Sequence, residues 1–210
     1  MTNCIEVKGL VKEYKTFTLG PIDLQVPGGS ILGLIGENGA GKTTLIKSML
    51  GIVRPTAGEV TLLGTDPDHA KEDIGIVLDD CFFSEYLRIK DVETVLCRVF
   101  KTWDKALYRD YLDKFGLSGT KNIKELSRGM RMKLSLAAAL AHKPKLLLLD
   151  EATAGLDPVV RDEILDEFLA FVSDDDHAIL ISSHITSDLE KVADYIAYLH
   201  QGKLLLCDEK

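Results

Sequence analysis

Long apolar runs are missing from this chain: none approaches the ~18 residues that a membrane-crossing helix requires. No leader is expected either. The opening Met1-Thr2-Asn3-Cys4-Ile5-Glu6 has neither the basic nor the apolar region of a secretory signal, so a cytoplasmic protein is expected, reaching a membrane only through partners. Positive charge is in deficit. Against 33 Asp and Glu stand 25 Lys and Arg, a net charge of −8, which argues against broad electrostatic binding to DNA, RNA or anionic lipid. Local cations still suffice for a nucleotide. Cysteine is sparse: Cys4, Cys81, Cys97 and Cys207 form no C-x₂₋₄-C pair, so neither a zinc site nor a disulfide framework is expected. Tandem repeats and low-complexity linkers are absent as well. What remains is 210 residues, 46% hydrophobic, enough for one α/β domain or a core with a small subdomain.

Within that frame one stretch stands out. Gly36-Glu37-Asn38-Gly39-Ala40-Gly41-Lys42-Thr43 fits G-x-x-x-x-G-K-[ST] at every fixed position, and Thr44 follows. The apolar Ile31–Ile35 precedes it at strand length. Residues Lys42–Leu50 follow without Pro or Gly and read as a helix stopped by Gly51. Strand, loop and helix are the setting a phosphate-binding loop needs. The glycines let successive N–H groups turn inward on an anion, and the helix dipole faces the same point. Lys42 is expected on the β- and γ-phosphates of the nucleotide and the Thr43 hydroxyl on Mg²⁺.

In chain order, Cys4–Leu10 reads as a strand and Thr16–Val26 as strand material interrupted by Gly20-Pro21. Alternation through Ile22-Asp23-Leu24-Gln25-Val26 predicts an antiparallel layer with one solvated face. Glu59–Leu63 and Ile74–Leu78 read as short strands. Helical spacing over Asp91–Phe100, Asp104–Phe115 and Gly129–His142 predicts a helical subdomain over 79–142, inserted in a core of 1–78 and 143–210. Leu146-Leu147-Leu148-Leu149-Asp150 is apolar without alternation, as a strand buried on both faces is. Pro158 opens a helix. A buried-type strand (His177–Ser183), a short helix (186–193) and a hairpin (195–199 and 203–207) complete the chain. Asp174-Asp175-Asp176 reads as a solvated loop. His69, His142, His177 and His200 are expected at the surface or in loops, and Trp103 is expected to pack between helices.

Asp150-Glu151 ends the buried strand. Asp150 is suited to holding Mg²⁺ and Glu151, leaving the strand on the other side, to activating water as a general base. Taken alone, the pair is equally the polar end of any such strand. Leu126-Ser127-Arg128-Gly129-Met130 lies upstream and opens a helix, and it resembles the LSGGQ signature of ATP-binding cassette (ABC) ATPases. Ala154-Gly155-Leu156-Asp157-Pro158 is similar to their D-loop. His184 sits where the family has its switch histidine, and Tyr14 where an aromatic stacks on adenine. The order and spacing of these motifs are those of the family over essentially the whole chain.

The resemblance implies an α/β fold, a P-loop NTPase core with an antiparallel β subdomain and an inserted α-helical subdomain. It implies ATP and Mg²⁺ as cofactors, and a head-to-tail dimer, homo- or heteromeric. In that dimer Ser127 and Gly129 of one protomer face the nucleotide on the P-loop of the other. It also implies separate transmembrane transporter subunits, which hold the chain at the inner face of the cell membrane, with no nucleic-acid partner. Cys81, Phe82, Phe83, Tyr86 and Leu87 are candidates for that membrane-subunit contact. The chain departs from the family at Asp79, where a metal-approaching Gln is usual, and at Arg128 and Met130 in the signature. These departures resemble ATPases of bacterial drug-resistance and cell-envelope exporters. Two other readings fit the residues: a soluble ABC ATPase of the iron–sulfur assembly type, and a weakly hydrolysing dimerisation switch.

Overall fold

The computed structural model describes residues 2–78 and 81–210. In chain order the elements are β1 (Asn3–Glu13), β2 (Thr18–Pro27), β3 (Ser30–Ile35), α1 (Lys42–Met49), β4 (Ala57–Leu62), α2 (Pro67–Ala70), β5 (Ile74–Val77), α3 (Ile89–Leu96), α4 (Lys105–Lys114), α5 (Arg128–Leu140), β6 (Leu146–Asp150), α6 (Pro158–Phe171), β7 (Ala178–Ser183), α7 (Thr186–Val192), β8 (Tyr195–His200) and β9 (Lys203–Glu209). Two sheets carry the architecture. One is three-stranded in the order β2-β1-β4, the other six-stranded in the order β5-β6-β7-β3-β8-β9. The larger sheet is parallel except for β9, which pairs antiparallel with β8. The fold is α/β: a P-loop core with an antiparallel layer and helices inserted between β5 and β6.

The unbroken apolar run of β6 has a direct structural cause. Leu146 and Leu148 join the core beneath α1 and the small sheet, with Leu32, Leu34 and Ile46. Leu147 and Leu149 join the opposite core, with Leu134, Ile164 and Phe168 from α5 and α6. All four leucines are fully buried, each stabilising by about 1.5–3 kcal/mol. β2 alternates as predicted, Leu19, Ile22, Leu24 and Val26 inward and Asp23 and Gln25 outward.

β2 is not interrupted at Gly20-Pro21. It runs on because it is an edge strand, where a missing N–H costs no ladder bond. The pairing with β1 absorbs the extra residue by a register shift between Leu10↔Ile22 and Lys12↔Leu19. The helix expected from Asp91 starts earlier, at Ile89, where the Arg88 amide donates to Asp91 Oδ2 at 3.0 Å. It ends at Leu96 rather than Phe100. The short α2 was not expected. Its signal is Asp66-Pro67, with Asp66 accepting from the Asp68 amide and Pro67 in the first turn.

Between β5 and β6 the chain leaves the sheet at the carboxyl end of β5 and re-enters at the amino end of β6. The return is fixed by Lys145, whose amide donates to Asp73 O at 2.8 Å and whose carbonyl accepts from the Ala178 amide at 3.0 Å. Among the described residues no helix is long and apolar enough to cross a membrane.

His142 is a correction. It follows α5 directly, so its ring enters the seam beside β5 instead of solvent, and it is 2% exposed. It stacks on Phe100 with centroids 4.0 Å apart, and Nε2 lies 3.1 Å from Ile74 O. Burial pushes its pKa below the ordinary 6.5. The unfolded chain therefore binds this proton at a higher pH than the folded one. The stability that neutral His142 contributes is full above the unfolded pKa and is lost as pH falls through the folded value. Thermal melts should show a lower midpoint at about pH 5.5 than at about pH 7.5, and His142→Gln should shrink that difference.

Candidate active site

β3, β7 and β6 lie side by side, and their carboxyl ends are in step: Ile35 pairs with Ser183, and Asp150 with Ser182. The residues that follow those ends are Gly36, His184 and Glu151. Ligands of open parallel sheets bind beyond such ends, and here they meet a cavity of about 350 Å³, within the range of small-molecule sites. Its lining includes Glu37, Asn38, Gly39, Gly41, Lys42, Thr43 and Thr44 together with Asp150, Glu151 and Phe17. Gly36 and Ala40 complete the loop itself. Gly41 has φ of 112° and opens α1, a conformation that a side chain resists. A Cβ there would also come within 3.0 Å of Phe17.

Each charged group has defined partners. Lys42 is 6% exposed; its Nζ donates to Gly36 O at 2.7 Å and lies 3.1 Å from Glu151 Oε1. The second Glu151 oxygen, Oε2, lies 2.6 Å from His184 Nδ1. The Glu151 backbone is left-handed, φ 54°, and its amide donates to both Ser182 O and Ser182 Oγ at 3.1 Å. That double hold supports a backbone most side chains avoid. Asp150 is buried and accepts from two hydroxyls: Thr43 Oγ1 at 2.6 Å and Ser182 Oγ at 2.5 Å. One ammonium, hydroxyls and a glycine-curled loop are a donor set that fits a triphosphate, and the all-oxygen pair Thr43 and Asp150 suits a hard cation.

Ser182 and Phe17 were not singled out from the sequence. Ser182 had a signal: it is polar at the end of an otherwise apolar strand. Phe17 lines the cavity because the Tyr14 amide bonds Phe17 O at 2.8 Å, a tight turn that brings Phe17 back beneath the loop. Tyr14 stands beyond it, half-exposed, its ring 6.5 Å from that of Phe17.

Ser127 caps α5, its Oγ accepting from the Met130 amide at 3.3 Å. Neither Ser127 nor Gly129 lines the P-loop cavity. Arg128 packs on the segment after β6, where a Cβ on Gly155 would come within 2.5 Å of its Nη1. Asp79 lies outside the described residues.

These features define a P-loop nucleoside triphosphatase. A family model described as ABC transporter matches residues 19–154. The bacitracin transport ATP-binding protein BcrA of Enterococcus faecalis is 36% identical, the match covering 98% of this chain and 69% of that protein. The lantibiotic transport ATP-binding protein SrtF of Streptococcus pyogenes is 32% identical, over 96% of this chain and 89% of its own. A solved ATP-binding subunit of an ABC transporter superposes with a TM-score of 0.88 at 25% identity, covering 98% of this chain and 90% of that one. The chain belongs to the ABC transporter family, as an ATP-binding and ATP-hydrolysing subunit.

Proposed function

We propose that this chain drives a transporter by closing on ATP as a head-to-tail dimer, with itself or a related chain, and opening when the ATP is cleaved. Residues 1–78 and 143–210 act as the core and 79–142 as a helical subdomain within one ATPase unit. Lys42 and the amides of 36–44 hold the phosphates, while Phe17 and Tyr14 offer aromatic faces to the base. Thr43 and Asp150, with Asp79 a further candidate, would hold Mg²⁺, which supplies charge neutralisation at the phosphates. Glu151 accepts the proton of the attacking water, and His184 senses the γ-phosphate. The observation that carries this reading is the Glu151 carboxylate held between Lys42 and His184 at the edge of the P-loop cavity. A phosphate oxygen that draws Lys42 away releases Glu151 for its task.

Ser127 and Gly129 lie away from that cavity, which supports their acting on the nucleotide of a second protomer. Separate transmembrane subunits then receive the motion and keep the chain at the inner membrane face. Of the five candidate contact residues, Cys81, Phe83 and Leu87 pack against the helical core. Phe82 and Tyr86 remain exposed, at 71% and 87%, and are the better docking candidates.

Ser127→Asp tests the dimer. Aspartate still caps α5 but sets a negative charge against the partner's triphosphate. Light scattering with ATP and Mg²⁺ should give dimers for Glu151→Gln and monomers for Ser127→Asp/Glu151→Gln, with ATP affinity of the monomer kept within about threefold. Equal dimerisation of both variants would remove the sandwich.

A further inference from the structure

We propose that Arg161 and Asp188 form a positioning pair that ties the loop after Glu151 to the helix after His184, and so fixes the spacing of those two groups. The proposal rests on the hydrolytic roles given above to Glu151 and His184. β6 and β7 each end in a short loop that carries one of these residues and then enters a helix, α6 or α7. Arg161, on the first turn of α6, reaches both the first loop and the second helix. Its Nη2 donates back to Leu156 O at 3.1 Å, and its Nη1 lies 3.5 Å from Asp188 Oδ1 on α7. Leu156 is five residues from Glu151 and Asp188 is four from His184, so the guanidinium joins the two arms that carry the 2.6 Å Glu151–His184 contact.

As a stabilising contact this pair is poorly made. Asp188 is 1% exposed, yet among the described residues its Oδ2 has no hydrogen-bond partner, and neither does the buried Arg161 Nε. Buried pairs of this kind often lose nothing in stability when both partners are replaced by apolar groups. What the arginine does supply is reach, with two donors in a rigid planar fork aimed at two different elements. The helices have a second tie that does not involve the loops: Lys191 Nζ donates to Asp162 Oδ1 at 2.6 Å on the exposed side. Removing Arg161 and Asp188 therefore leaves α6 and α7 joined while releasing Leu156.

The test uses the full chain. Arg161→Met/Asp188→Leu removes both charges at similar volume. Arg161→Lys keeps a charge for Asp188 but lacks the two-armed reach. Lys191→Met is the control for a purely structural tie. The thermal midpoint of the double variant should match wild type. Its KM for ATP should stay within about threefold, while kcat falls about 10- to 100-fold. Arg161→Lys should lose kcat in the same direction, and Lys191→Met should not. Wild-type kcat in the double variant overturns the proposal, as does wild-type kcat in Arg161→Lys if the double variant fails to fold. Failure of the hydrolytic reading is distinguishable, because wild type and Glu151→Gln would then cleave ATP at the same rate.

Discussion

Glu151→Gln should bind ATP and cleave it at least about 100-fold more slowly than wild type, the range set by loss of a general base. The change is nearly isosteric. A glutamine can still accept from Lys42 and still meet His184 Nδ1, and the backbone amide at 151 keeps its two bonds to Ser182. What disappears is the negative charge and the ability to take a proton from water. Phosphate release at saturating ATP measures the cleavage, and a fluorescent nucleotide titration measures the binding. A variant that hydrolyses within about tenfold of wild type would show that the proton goes elsewhere.

Lys42→Met should weaken ATP binding by about 2–5 kcal/mol, roughly 30-fold or more in Kd. The lysine is almost fully enclosed, with its head among Gly36 O, Glu37 O and the Glu151 carboxylate. Methionine keeps the stem and the packing but brings no charge, so two effects add. The triphosphate loses its buried cation, and the half-buried Glu151 carboxylate loses its ammonium partner and faces incoming negative charge. The titration should therefore show a larger loss for ATP than for adenosine, which carries no phosphate for Lys42 to hold. Equal losses for both would point to a collapsed loop instead of a missing charge.

The parts of this site that were legible in the sequence are those fixed by local backbone chemistry. The P-loop needs glycines at set places, β6 needs apolar residues on both faces, and Asp157-Pro158 announces α6 by its cap. Each is written in a few consecutive residues. Ser182 was harder, because its role comes from sheet order: β7 lies between β3 and β6, so a hydroxyl on β7 meets both Asp150 and the Glu151 amide. Phe17 was hidden by a turn whose geometry is not encoded by periodicity. His142 was misread because a polar residue after a helix is normally solvated, and only the packing of β5 against α5 encloses it. The link from Arg161 to Asp188 joins two helices and has no sequence signal at all.

The path of the chain between β5 and β6 has a mechanical meaning. Its return is pinned at the edge of the sheet far from the nucleotide, through the two backbone bonds of Lys145. Its departure, after Val77, lies at the opposite end of the strands, level with the phosphate-facing ends, and the exposed Phe82 and Tyr86 follow it in sequence. The helical excursion is thus held at its foot by backbone bonds and along its flank by α6, where Glu167 and Glu163 pair with Lys114 and Lys133. In the function proposed above, a membrane subunit bearing on those two aromatics would load the excursion at the end remote from that foothold.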